Sequence, residues 1–346
     1  MEIFDGKNTV LVTGANGFIG SAICNALLSE SAEVIAMVEP NTDLSNLKGL
    51  NLKVVEADVR NYGELEKILK GVNLVFHCAA IYKFNSKNKE LFYDVNVSGS
   101  INIIKAAMAN EAKKIVYTST VGTIGLQWDR ASSEDRYADV SHLYGNYKRS
   151  KYVAEHEVLR LTARGAPVVL AQPTMPIGPR DIAPSPSGQM VVDFLNKKMF
   201  GYANTVMNIV DVDDVAHGHL LAMDKGEIGQ SYIFGGENLT MKQVIDLLES
   251  ITGFKYTKVR VPKSVILAMG YLSEYVGSKL TEHPSRVPLE AAKMATSYMA
   301  FDDSLARKAL GYNSRPAKTA LLRSCSWYLN NGYVKQNYLK QIKLNG

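Results

Sequence analysis

A glycine-spaced turn lies near the start of the chain. Thr13-Gly14-Ala15-Asn16-Gly17-Phe18-Ile19-Gly20 follows directly on the run Thr9-Val10-Leu11-Val12. A short β-branched and aliphatic run of this kind reads as a buried parallel strand. The G-x-x-G-x-x-G spacing then permits what side chains would block. Gly14 allows a tight turn, Gly17 lets backbone approach a pyrophosphate, and Gly20 lets the next helix lie close to the strand. Free N–H groups at the helix start, with the helix dipole behind them, attract phosphate. Ile19, Ile23, Ala26 and Leu27 give that helix its apolar face. The pattern constrains the chain to a dinucleotide-binding βαβ unit.

The second strand, Glu33 to Val38, ends at Glu39. An acidic side chain about 20 residues past the glycine turn is placed to accept a hydrogen bond from a ribose 2′-hydroxyl. It would repel a 2′-phosphate. The expected cofactor is NAD, with NADP left open.

Strand and helix signals alternate onward. Residues 53–56, 73–77, 114–117 and 167–171 read as strands; 62–69, 91–110 and 143–164 read as helices. This rhythm predicts an α/β fold: a Rossmann-type doubly wound parallel sheet with right-handed crossovers. After Pro173 the texture changes to a proline-rich stretch, then a strand near 208–210, a helix over 215–223 and a strand at 232–234. Thr240-Met241-Lys242-Gln243 is a capping box opening a helix, and the rest is mostly helical. The expected division is a dinucleotide-binding domain of residues 1–173 plus about 205–235. A smaller, mostly helical substrate lobe takes about 174–204 and 236–334, and 335–346 form a tail. Lys335, Lys340 and Lys343 give that tail a solvated character. The apolar run Val265 to Leu272 is expected to pack as lobe core, with transient contact at a membrane surface as the other reading.

Composition excludes several classes. The net charge of +5 is diffuse, without a dense basic run carrying aromatics, so nucleic acid is not an expected partner. Cys24, Cys78 and Cys325 lack metal-ligand spacing, so no metal is expected, and unpaired thiols suit a reducing cytoplasm. The first strand begins soon after Met1, leaving no room for a signal peptide, and no apolar run reaches the length of a membrane span.

Between residues 144 and 151 two tyrosines each have a lysine four residues on: Tyr144 with Lys148, and Tyr147 with Lys151. On a helix such residues share a face. A free phenol has a pKa near 10, and a nearby ammonium lowers it toward that of a working base at neutral pH. Tyr117-Thr118-Ser119-Thr120 closes the preceding strand, at the sheet edge where ligands bind, and supplies hydroxyls to orient a substrate oxygen.

Over nearly its full length the chain resembles the extended short-chain dehydrogenases/reductases. The glycine turn is similar to that group's TGxxGxxG loop, and Asp58-Val59 to its adenine-contacting pair. His77-Cys78-Ala79-Ala80 resembles its cofactor-lining segment, Asn96 its active-site asparagine, and Pro173 the proline beside the nicotinamide. The resemblance implies Thr120 as the catalytic hydroxyl, and Tyr144 with Lys148, rather than Tyr147 with Lys151, as the catalytic pair. It also covers Leu310-Gly311-Tyr312, Pro316 and Trp327. Longer strings at 146–151, 176–181, 191–196, 211–222 and 232–240 are similar to the hopanoid-associated sugar epimerase and dihydroflavonol-4-reductase-like family. Relatives of the second type carry Arg where Glu39 stands.

The expected function is NAD(P)-dependent hydride transfer at a secondary alcohol or carbonyl. The substrate is then a small sugar-like or lipid-linked molecule, in an epimerase or reductase, with hopanoid side-chain synthesis as the implied context. Phe18, Ile19 and Asn16 join the glycines in the expected cofactor set, and Tyr144 and Lys148 belong to it too. Arg180 and Arg260 are the arginines that could clamp a nucleotide-sugar diphosphate. A homodimer through the two long helices is the implied assembly. The reading from another class is a dinucleotide sensor without turnover.

Overall fold

Short, fully buried aliphatic runs joined by amphipathic helices can satisfy their backbone groups by pairing in parallel. The computed structural model does this; it describes residues 1–4, 7–82, 89–199, 201–256, 259–279, 289–294 and 296–345. Its strands are β1 (Thr9–Thr13), β2 (Glu33–Val38), β3 (Lys53–Glu56), β4 (Leu74–His77), β5 (Lys114–Thr118), β6 (Val168–Pro173), β7 (Met175–Ile177), β8 (Val206–Asp211), β9 (Ser231–Phe234), β10 (Glu237–Thr240) and β11 (Tyr298–Met299). Seven of them form a parallel Rossmann-type sheet in the order β3-β2-β1-β4-β5-β6-β9. Val10 sits opposite Val34 on one side and Leu74 on the other, so the strand order reverses at β1. A doubly wound sheet opens its ligand crevice at that point, beyond the carboxyl ends of the strands.

Both faces of the sheet are covered. Helices Phe18–Ser29 and Val212–Lys225 pack on one face, with Val10, Val12, Phe76 and Phe234 buried between layers. Helices Tyr62–Ile68, Ser100–Ala109 and Asn146–Thr162 cover the other, over Leu11, Val75, Ile115 and Leu170. A third core, with Phe194, Ile209, Leu248 and Tyr328, belongs to the smaller lobe.

The smaller lobe is mostly helical, as expected, and also has a sheet of its own. β8 pairs antiparallel with β10 along one edge, and parallel with β11 and β7 along the other. The strand expected within the Rossmann domain near 208–210 therefore lies in the second sheet; the helix and strand after it return to the first. An aliphatic strand carries no local mark of which sheet it joins. The capping box at Thr240 forms as its sequence predicts.

The tail docks rather than floating. Tyr338, Leu339 and Ile342 pack on the lobe core, and Asn345 N donates to Ile251 O at 2.8 Å. The helix Lys263–Lys279 is not ordinary core either: Tyr271 is 57% and Leu272 64% exposed. Among the described residues no helix is long and apolar enough to cross a membrane.

Candidate active site

The carboxyl ends of β1, β2, β4, β5 and β6 converge on one cleft of about 1360 Å³. Gly14, Asn16, Gly17, Phe18, Ile19, Gly20, Glu39, Asp58, Val59, Ala79, Ala80 and Pro173 all line it, as do Thr120, Tyr144 and Lys148. Asn96, His77, Arg180 and Arg260, also expected at the site, are outside the lining.

The glycine turn is dictated by its own packing. Gly14 has φ +62°, and a Cβ there would lie 2.8 Å from Ala79 Cα. A Cβ on Gly20 would lie 2.2 Å from Gly14 O. Gly17 is less confined by protein, its nearest contact being Gly14 O at 3.1 Å, and it caps the helix Phe18–Ser29. The open space therefore lies in front of Gly17, where helix N–H groups end. That is a cradle fit for a phosphate pair. Asn16 ties the turn to the loop after β2, donating to Thr42 Oγ1 at 3.0 Å and Asp43 O at 2.9 Å. Asp58 is clasped by the Arg60 guanidinium, whose hydrogen bonds hold its carboxyl below the usual range. Glu39 is exposed at the cleft edge, close enough to Arg60 for their charges to interact. The residues present thus fit a dinucleotide.

The two tyrosine–lysine pairs part company here. The helix expected from Leu143 begins instead at Asn146, because Gly145 stands at its N-cap with φ +82°. Tyr144 therefore lies before the helix and does not share a helical face with Lys148. Its ring is 38% exposed at the cleft rim, with the Lys293 ammonium 3.5 Å from its centroid. Tyr147 and Lys151 both lie within the helix and both line the cleft.

Lys151 is the striking departure from a surface lysine: it is 2% exposed. Its Nζ donates to Tyr117 Oη at 2.9 Å and Thr118 O at 2.8 Å, which fixes it under the end of β5 and uses two of its three donors. Burial pulls its pKa down to about 8, with the Glu155 carboxylate one helical turn on opposing the fall. Glu155 is wholly buried. It accepts from Ser119 Oγ, from Thr123 Oγ1 at 2.9 Å and from Gln172 Nε2 at 3.2 Å.

The strand-end hydroxyls have separate fates. Thr118 Oγ1 lies 3.0 Å from His219 Nε2, and the His219 Nδ1 hydrogen faces Val215 O at 2.8 Å, so the Thr118 hydroxyl points inward as donor. Ser119 is committed to Glu155. Thr120 accepts from Gly122 N at 3.1 Å and lines the cleft. Burial raises the neighbouring Cys78 thiol to about 11, so it stays protonated.

Asn96 sits in a π-helical turn, Asp94–Gly99, and its amide is spent on protein. It accepts from Ile81 N at 2.8 Å and donates to Ile81 O at 3.0 Å and Ser150 Oγ at 2.9 Å. It thereby ties the loop after β4 to the tyrosine–lysine helix without reaching the cleft. His77, expected beside the cofactor, is buried behind it in a chain from Thr13 Oγ1 through His77 to Ser100 Oγ. Burial, then the Lys151 charge, keeps its pKa down at about 3.

Sequence reasoning missed the anchoring of Lys151 and the part of Glu155. A signal was present: Tyr147, Lys151 and Glu155 recur at helical spacing on one face, and Gly145 interrupts the other pair. Among the described residues, no group of three or more His, Cys, Asp or Glu side chains is arranged to hold a metal.

Known proteins carry the same architecture. A Synechocystis protein provisionally named a dihydroflavonol 4-reductase is 37% identical over 94% of this chain and 95% of its own. Sterol demethylase protein B of Methylococcus capsulatus is 28% identical over 94% of this chain and all of its own. The crystal structure of gox2253 superposes with a TM-score of 0.85 at 37% identity, covering 95% of this chain and all of that one. The model of the NAD-dependent epimerase/dehydratase family matches residues 10–235, from β1 through the end of β9, and to that family the chain belongs.

Proposed function

We propose that the protein is an oxidoreductase that interconverts a secondary alcohol and a ketone, using Tyr147, Lys151 and Thr120. The observation that carries this reading is the buried Lys151, held by Tyr117 and Thr118 one helical turn from Tyr147. A nicotinamide dinucleotide, when bound on the glycine turn, supplies the hydride donor or acceptor.

The chain's own residues do the rest. Thr120 donates a hydrogen bond to the substrate oxygen and orients it. Tyr147 gives that oxygen a proton during reduction and takes it back during oxidation. Lys151, with a donor in reserve, binds a ribose hydroxyl, and its charge favours the tyrosinate form of Tyr147. Glu39 receives the adenine-side ribose diol, which makes NAD the preferred cofactor. Asn96 and Glu155 position the loop, helix and strand end on which the reacting groups sit.

The test compares two variants in NADH-dependent reduction of a panel of cyclic ketones. Tyr147→Phe is expected to lose roughly 10²–10⁴-fold in kcat/KM with NADH affinity unchanged, the usual scale for a general acid–base group. Tyr144→Phe is expected to keep its chemistry and change mainly KM. Loss of turnover in Tyr144→Phe with retention in Tyr147→Phe would refute the assignment.

A further inference from the structure

The cleft exceeds the usual range for one small-molecule site, leaving room beyond a dinucleotide for a second sizeable ligand. The walls of that second half come from the smaller lobe. Six methionines line it: Met175, Met190, Met207, Met241, Met269 and Met299. They are half of the twelve in the chain. Each comes from a different element, namely β7, the helix Pro186–Leu195, β8, the helix Met241–Thr252, the helix Lys263–Lys279 and β11. No local sequence repeat places them together; the fold does. Methionine offers unbranched, polarizable surface that adapts to an irregular apolar shape.

The polar groups beside them have partners within the protein. Ser187 Oγ donates to Pro176 O at 2.7 Å, Ser185 Oγ to Asp181 at 2.8 Å and Ser297 Oγ to Lys293 O at 2.8 Å. Thr205 Oγ1 donates to Ser297 O. The Asn208 amide is occupied by Asn238, Gly236 and Thr174. A sugar ring would find few groups still offering hydrogen bonds.

Charge points the same way. A nucleoside diphosphate is normally held by arginines that bind phosphate in a fork. Among the described lining residues there is no arginine, and the lobe's one cation is Lys293, which sits over the Tyr144 ring. Arg180 pairs with Asp213, and Arg323 with Asp211 and Asp213, outside the lining. Arg260 is exposed and also outside it.

We infer that the lobe takes a bulky, largely apolar secondary alcohol or ketone, of polycyclic or terpenoid size, rather than a nucleotide sugar. The need for a carbinol or ketone rests on the hydride-transfer reading; the apolar character rests on the lining alone.

The test is equilibrium titration of the NADH-loaded protein with two probes, a tetracyclic 3-ketosteroid and UDP-glucose. The steroid is expected to bind and UDP-glucose to bind at least about a hundredfold more weakly. Met190→Glu and Met241→Glu, both at partly exposed positions, are expected to weaken steroid binding about tenfold or more, because a carboxylate would be desolvated against apolar surface. NADH affinity measured beside it reports folding, and Met190→Leu is expected to retain steroid binding. Tighter binding of UDP-glucose, binding of neither probe, or steroid binding indifferent to both charges would overturn the inference. The titration needs no turnover. Steroid binding without hydride transfer would remove the proposed reaction and leave the ligand class standing.

Discussion

On the reading proposed above, the cofactor half and the substrate lobe recognise their ligands by different means. In the first, the discriminating surface is backbone: glycines, helix N–H groups and strand ends in fixed register. In the second it is side chain, six flexible methionines gathered from six elements. Backbone recognition is exact and tolerates little change. Side-chain recognition of this kind fixes polarity and approximate size, and leaves shape negotiable. The comparison teaches where a substitution should be catastrophic and where it should merely retune.

The largest effect is expected from Gly20→Val. A side chain there would run into Gly14 O, forcing the helix off the strand and distorting the turn. Calorimetry should find no measurable dinucleotide binding. Near-normal affinity would mean that the close packing of this turn does not define the cofactor site. Gly17→Val, with more protein clearance, should spare the fold and block the cofactor alone.

A smaller effect is expected at the edge of the same half. Glu39→Arg should improve NADP affinity relative to NAD by roughly 10–100-fold, since a carboxylate facing a phosphate is replaced by a matching cation. Arg60 lies near Glu39, and its guanidinium is engaged by Asp58. Paired titrations at fixed ionic strength check this; equal affinities in the unmodified protein would show that Glu39 does not face the ribose.

The finest test concerns Glu155, which touches the cleft only through others. Lys151 is an ammonium below about pH 8 and loses its charge above it, so activity that needs the cation should fall on the alkaline side. Glu155 holds that pKa up. Glu155→Gln should therefore move the alkaline limb of kcat/KM to lower pH. A purely structural role for Glu155 would lower the rate and leave the limb in place.

The sequence revealed the cofactor half more readily because its determinants are local. Gly14, Gly17 and Gly20 lie within one turn, Glu39 ends the next strand, and both strands are marked by unbroken aliphatic runs. The choice between Tyr144 and Tyr147 was not settled by spacing, since both have lysines at i+4. The proposal of Tyr147 rests on where the helix starts, which follows from a positive φ at Gly145 that a residue list does not display. The lobe was legible least. β8 resembles any buried strand yet pairs in the second sheet, and methionines as far apart as 175 and 299 meet only once the chain is folded.

The same topology has a mechanical consequence. The chain passes from the large sheet to the small one between Pro173 and Met175, returns at Asp211 and Val212, and leaves again between Phe234 and Glu237. None of these crossings is longer than two residues. Three such stitches beside one another do not make a hinge, so the lobe is poorly built to swing away as a rigid jaw. Fitting ligands of unequal outline then falls to rotation about methionine side-chain bonds. In that sense the cleft behaves as a stiff frame with a compliant lining, and its tolerance is set by torsions rather than by travel.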